Sequence, residues 1–134
     1  MDTTSSSAVV PAPLTLLLVE DDDSLRASLE EFLDDQGFAA KSADTVAGAW
    51  RQIQLQAPDL CLLDVNLPDG SGLEVLRKIL EHGLSTRVIV MTAMPLAHLR
   101  PNYRCGNLVG WLAKPVAPDE LLASVREATT ASRA

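Results

Sequence analysis

The sequence predicts an α/β fold in which a doubly wound parallel β-sheet carries helices on both faces. Three observations predict it. Apolar runs at 14–19, 60–63 and 88–91 are each flanked by turn residues and read as buried strands. Between them lie stretches whose apolar residues recur at helical spacing. The connections are a few residues long, so strand and helix alternate along the chain as right-handed crossovers between parallel strands require.

The first strand is Leu14–Val19. Leu25, Leu29, Phe32 and Leu33 then mark one face of a first helix, with Asp22 or Asp23 as its N-cap and Gly37 at its C-terminal end. An extended piece from Phe38 to Ser42 leads to a second helix with the stripe Val46, Ala49, Trp50 and Ile53, stopped by Pro58. A strand over Leu60–Leu63 follows. The turn from Asn66 to Gly72 opens a third helix with Leu73, Leu76 and Leu80 on one face, closed by His82 and Gly83. The next strand is Val88–Met91. Between Met94 and Gly110 a fourth helix is expected to be short, kinked or mobile, because Pro101 would fall inside it at a cost of about 3 kcal/mol. A strand ending at Leu112 and Ala113 and a last helix from Pro118, burying Leu121, Leu122, Val125 and Ala128, complete the chain.

With 134 residues there is room for one domain with a full core and none for a second. The net charge of -7 and the scattering of the eleven basic residues argue against direct nucleic-acid binding by this segment. Cys61 and Cys105 lack any metal-ligand spacing and read as ordinary thiols of a reducing cytosol. Residues 1–13 are Ser-rich, without the basic start and apolar centre of an export signal, and read as a disordered leader. The domain is then 14–130, with 131–134 as a tail or the start of a linker. No apolar run approaches the roughly 20 residues of a membrane span. A cytoplasmic protein with no membrane contact is expected.

The chemistry concentrates at strand ends. Glu20-Asp21-Asp22-Asp23 follow the first strand, Asp64 the third, Thr92 the fourth, and Lys114 the fifth. In a parallel sheet these groups converge on the carboxyl edge, where open α/β sheets bind ligands. Carboxylates gathered there repel one another unless a divalent cation or solvent takes up the charge. A solvated, helix-capping turn is the plainer alternative for the acidic run. A calcium loop fails, because the fifth position from Asp64 is Pro68. No Gly-rich Walker loop occurs, and His82 and His98 do not support a catalytic triad.

Four segments taken together resemble a known family: Leu-Leu-Val-Glu-Asp-Asp at 17–22, Leu-Leu-Asp-Val-Asn-Leu-Pro-Asp-Gly-Ser-Gly-Leu at 62–73, Met-Thr-Ala at 91–93 and Lys-Pro at 114–115. They are similar to the receiver domain of two-component response regulators, of the chemotaxis-regulator type. The resemblance implies a flavodoxin-like sheet of five strands in the order 2-1-3-4-5. It implies that Asp64 accepts a phosphoryl group from a phosphohistidine of a sensor kinase or phosphotransfer protein. Asp21 would ligate Mg2+ (or Mn2+ as a substitute) directly, Glu20 mainly through water, and Asn66 through its backbone carbonyl. Thr92 and Lys114 would contact the phosphoryl oxygens, and Pro115 would follow a cis bond that aims Lys114 inward. The result would be a switch with slow self-dephosphorylation rather than an enzyme, altering the surface of the fourth helix, fifth strand and last helix for an unknown downstream partner or output domain.

Departures from the family pattern matter for signalling. Trp111 stands where Tyr or Phe usually moves between outward and inward rotamers, and an indole is larger. Met94, two residues after Thr92, is apolar and offers an attacking water no hydrogen bond. A haloacid-dehalogenase-like phosphohydrolase would need a second carboxylate two residues after Asp64, where this chain has Asn66. A pseudo-receiver that binds partners without phosphate is the other alternative. The chain is expected to be either a single-domain regulator or a piece of a longer regulator or kinase.

Overall fold

The computed structural model describes residues 13–94 and 106–131. Residues 1–12 of the expected leader, most of the expected fourth helix, His98, Cys105 and residues 132–134 of the expected tail lie outside the described residues. Five parallel strands form the sheet: β1 (Thr15–Val19), β2 (Ala39–Ala43), β3 (Leu60–Asp64), β4 (Arg87–Thr92) and β5 (Leu108–Ala113). Their order is β2-β1-β3-β4-β5, the arrangement 2-1-3-4-5. The connecting helices are α1 (Asp23–Asp35), α2 (Val46–Leu55) and α3 (Leu73–Glu81), and a C-terminal helix spans Pro118–Ala131.

Side chains alternate across each strand with a period of two, and here both faces are apolar. Leu17, Val19, Cys61, Leu63, Val88 and Val90 face a core closed by α2 and α3. Leu16, Leu18, Leu60, Leu62, Ile89 and Met91 face a second core closed by α1 and the C-terminal helix. The sheet is thus covered on both sides, which leaves its carboxyl edge as the place for polar chemistry.

Local signals explain most boundaries. Asp22 caps α1 by accepting from Leu25 N at 3.0 Å, and Gly37 follows the helix at φ +97°, a left-handed conformation that glycine adopts freely. Thr45 caps α2 through Gly48 N at 2.9 Å. Two strands run one residue beyond the apolar runs, so Asp64 and Thr92 are the last residues of β3 and β4 rather than the first of the loops. Both are therefore held by backbone pairing: Asp64 lies opposite Met91 in the register, and Thr92 opposite Ala113.

The expected stripe of α3 is rotated. Val75, Leu76 and Ile79 are buried, while Leu80 is 43% exposed. Residue 80 lies about 100° around the helix from Ile79, and the sheet takes up the 75/76/79 side. Leu25 of α1 is likewise exposed, and Leu122 is only half-buried, because Leu121 and Val125 occupy the centre of that contact.

β5 carries a register shift opposite Val88 and Ile89. Leu108 pairs with Val88 but Gly110 pairs with Ile89, so the alternation slips by one residue. A side chain at Gly110 would press on Ser124 of the C-terminal helix at 3.3 Å. The slip directs Trp111 to the α2/α3 side, where it packs half-buried against that core.

Among the described residues no helix is long and apolar enough to cross a membrane. Cys61 is fully buried in β3, and burial pushes its thiol up to about 12. Iodoacetamide is therefore expected to leave Cys61 unmodified in the native protein and to label it in urea. Peptide mapping by mass spectrometry checks this, and labelling under native conditions would contradict the closed core.

Candidate functional site

The site is assembled from three strand ends. Glu20 leaves β1, its N–H donating to the Ala43 carbonyl of β2 at 3.0 Å, and its side chain is 1% exposed. A glutamate this deep needs partners. Its Oε1 accepts from Lys114 Nζ at 2.9 Å and its Oε2 from Asp22 N at 3.2 Å. Asp64, 3% exposed at the end of β3, accepts from Lys114 Nζ on Oδ2 at 2.9 Å and from Asn66 N on Oδ1 at 3.2 Å. Asp21 sits exposed at the mouth. Ligand oxygens of Glu20, Asp21 and Asp64 all lie within 4.8 Å of one another.

Lys114 reaches this cluster from the end of β5. Its N–H donates to the Thr92 carbonyl at 2.8 Å, and the Lys114–Pro115 peptide is cis. Burial alone would pull the ammonium down, but the hydrogen bonds and charges of Asp64 and Glu20 outweigh it, and its pKa is raised above the ordinary lysine value. Thr92 is fully buried beside it, and its Oγ1 accepts from Met94 N at 3.0 Å, which leaves the hydroxyl proton free in direction. An apolar groove of about 310 Å³, walled by Leu25, Leu29, Pro115 and Val116, opens next to Glu20 and Lys114.

The charges do not balance. Among the described residues three carboxylates face one ammonium, and at an effective dielectric of about 20 two like charges 4.8 Å apart repel by roughly 3.5 kcal/mol. The donors are all hard oxygens. Such a set suits Mg2+, which is bound by one or two carboxylates and keeps water on its remaining positions.

The structure thus brings together Glu20, Asp21, Asp64 and Lys114, with Thr92 on the neighbouring strand end. Asn66 is exposed and meets the cluster through its backbone N–H on Asp64. Trp111 stands apart, on the sheet face that carries α2 and α3. Two residues escape a sequence reading. Arg26 of α1 donates to the Glu20 carbonyl at 2.9 Å and pairs with Asp23 at 2.7 Å, and that hydrogen bond raises its pKa; the i,i+3 spacing to Asp23 was the available signal. Asp69 binds the start of α2, a contact across 23 residues with no local signal.

The sequence model of the response regulator receiver domain matches residues 16–126. The chain is 34% identical over 119 residues to the transcriptional regulatory protein DltR of Streptococcus agalactiae, covering 89% of this chain and 53% of DltR. It is 32% identical over 111 residues to the acid tolerance regulatory protein ActR of Rhizobium meliloti, covering 83% and 57%. The chain therefore spans little more than half the length of these relatives. Among solved structures, the signal receiver domain of a putative LuxO repressor protein from Vibrio parahaemolyticus superposes with a TM-score of 0.77 at 27% identity, over 90% of this chain and 93% of that one. The response regulator TrrA of Thermotoga maritima, in complex with Mg2+-BeF, gives 0.75 at 27% identity, over 86% and 98%. The chain belongs to the receiver-domain family of two-component response regulators, whose general function is that of a phosphoacceptor switch.

Proposed function

We propose that Asp64 is the phosphoacceptor of this receiver, taking a phosphoryl group from a phosphohistidine of a sensor kinase or histidine phosphotransfer protein. The observation that carries the reading is the bridge made by Lys114 Nζ between buried Glu20 and buried Asp64, beside Asp21. An Asp64 carboxylate oxygen attacks phosphorus, the O–P bond forms, and the P–N bond breaks with its electron pair returning to the imidazole. Glu20, Asp21, Asp64 and the Asn66 carbonyl would hold Mg2+, with Mn2+ as a substitute, and the ion when bound supplies positive charge for the phosphoryl oxygens.

Lys114 supplies the second positive charge. It is already oriented by two carboxylates and by its backbone bond to Thr92, so it needs no reorganisation when charge develops. Once a phosphoryl group is attached, the Thr92 hydroxyl turns to donate to it, and Trp111 on the adjoining strand follows. The outcome is a changed surface around β5 and the C-terminal helix, read by a protein partner or an output domain. The chain works as a regulatory phosphoacceptor in the cytoplasm, over a domain of 14–130, with slow self-dephosphorylation and no direct contact with nucleic acid or membrane.

Incubation with acetyl phosphate or phosphoramidate and Mg2+ tests this. Intact mass should rise by one phosphoryl group, and borohydride reduction should map it to Asp64. No gain with any donor favours a phosphate-independent binding module. Many turnovers of a phosphomonoester per chain favour a hydrolase.

A further inference from the structure

The loop after Asp64 folds back on itself as a short antiparallel ribbon, Asn66 pairing with Ser71 and Leu67 with Gly70. Its base is tied down by the Gly72 N–H on the Val65 carbonyl at 2.7 Å, and Gly72 passes so close to the Asp64 carbonyl oxygen that any side chain there would run into it. Leu67 is buried in the α2/α3 core. At the tip, Asp69 reaches across to another element. Its Oδ1 accepts from Val46 N at 2.7 Å and its Oδ2 from Ala47 N at 3.1 Å. Those two amide bonds hold the Asp69 carboxylate below its ordinary range. α2 already has its own cap in Thr45, which serves Gly48 N. Asp69 serves the two amides that Thr45 does not reach, and in doing so it fastens the tip of the ribbon to the N-terminus of a separate helix.

We propose that Asp69 is a positioning residue for the phosphoacceptor site, clamping the 66–71 ribbon to the N-terminus of α2 so that Asn66 keeps a fixed place beside Asp64. The proposal rests on the reading of Asn66 as a metal ligand through its carbonyl. With the clamp intact, both ends of the ribbon are fixed and the Asn66 backbone is preorganised for the ion. Without it the tip swings on Gly70, whose φ of +149° is open to glycine, and the ligand set loosens.

Binding of Mn2+, followed by loss of the free-ion electron paramagnetic resonance signal, tests this on the whole chain. Asp69→Ala is expected to bind Mn2+ about tenfold more weakly than wild type. Amide hydrogen exchange over 66–72 should quicken. Thr45→Ala, which uncaps the same helix from its own side, should lower the melting temperature without changing Mn2+ affinity. Asp69→Asn keeps an acceptor for Val46 N and should lie nearer wild type. Unchanged affinity in Asp69→Ala, or an equal loss in Thr45→Ala, overturns the clamp as a positioning device. Equal losses in the Ala and Asn variants overturn it too, since they would report only the missing charge. If wild type itself fails to bind Mn2+, or binds it as well in Asp21→Ala, the metal-site reading falls and the clamp with it.

Discussion

Asp64→Asn is expected to abolish phosphoryl uptake altogether while leaving the fold in place. The amide has no anionic oxygen to attack phosphorus, and no other carboxylate in the cluster is placed like Asp64: Glu20 is closed in by Lys114 and the Asp22 amide, and Asp21 lies exposed at the mouth. Stability should change little, for a reason the charges supply. Asp64 is repelled by Glu20 and Asp21, whose ligand oxygens lie within 4.8 Å of its own, and attracted by the Lys114 ammonium at 2.9 Å. These terms oppose one another, Lys114 keeps Glu20 as a partner, and the amide oxygen still accepts a hydrogen bond. The measurement pairs intact mass after acetyl phosphate treatment with a melting curve in the absence of divalent cation. A folded Asp64→Asn protein that still gains a phosphoryl group would move the acceptor to another residue.

Much of this geometry is legible in the sequence because the sheet is buried on both faces. Runs such as Leu60–Leu63 and Val88–Met91 leave little room for another assignment, and the polar residue that ends each run marks the carboxyl edge. The face of α3 was harder. Leu73, Leu76 and Leu80 share a helical stripe with Val75 and Ile79 on its flank, and only the position of the sheet decides which side is covered. The shift in β5 has no sequence mark beyond Gly110, yet it sets the face that Trp111 occupies. Within the site, residue types at strand ends pointed to the cluster. Lys114 was expected near Asp64, but its equal bond to Glu20 depends on how far the side chain reaches across the top of β1. Asp69 shows the limit most plainly. A Pro-Asp-Gly sequence is an ordinary turn by composition, and its carboxylate gains a partner only when α2, 23 residues earlier in the chain, is folded alongside.

Lys114→Met is expected to slow phosphoryl uptake by about 100- to 1000-fold, the usual loss when one oriented charge or donor is removed from a developing oxyanion. The same change should weaken the metal-free fold. Glu20 and Asp64 would remain buried with no cation of the described residues between them, and breaking a fully buried pair costs about 3 to 5 kcal/mol. Lys114 is itself 23% exposed, so water screens part of the interaction and a loss on the order of 2 kcal/mol is the better expectation. The sign of the pH dependence follows from the raised lysine pKa. The folded protein holds the Lys114 proton more tightly than the unfolded chain, so this stabilisation is complete below the ordinary lysine value of about 10.4 and is lost as pH climbs through the higher folded value. Wild type should therefore lose stability over that alkaline range by a component absent from Lys114→Met. Mg2+ should restore more to the variant than to wild type, since it meets three uncompensated carboxylates instead of three sharing an ammonium. Urea titrations at neutral and alkaline pH, with and without Mg2+, measure all three effects. If Lys114→Met matches wild type in uptake and in its response to Mg2+, the ammonium is a bystander, and the charge balance argued for the site is wrong.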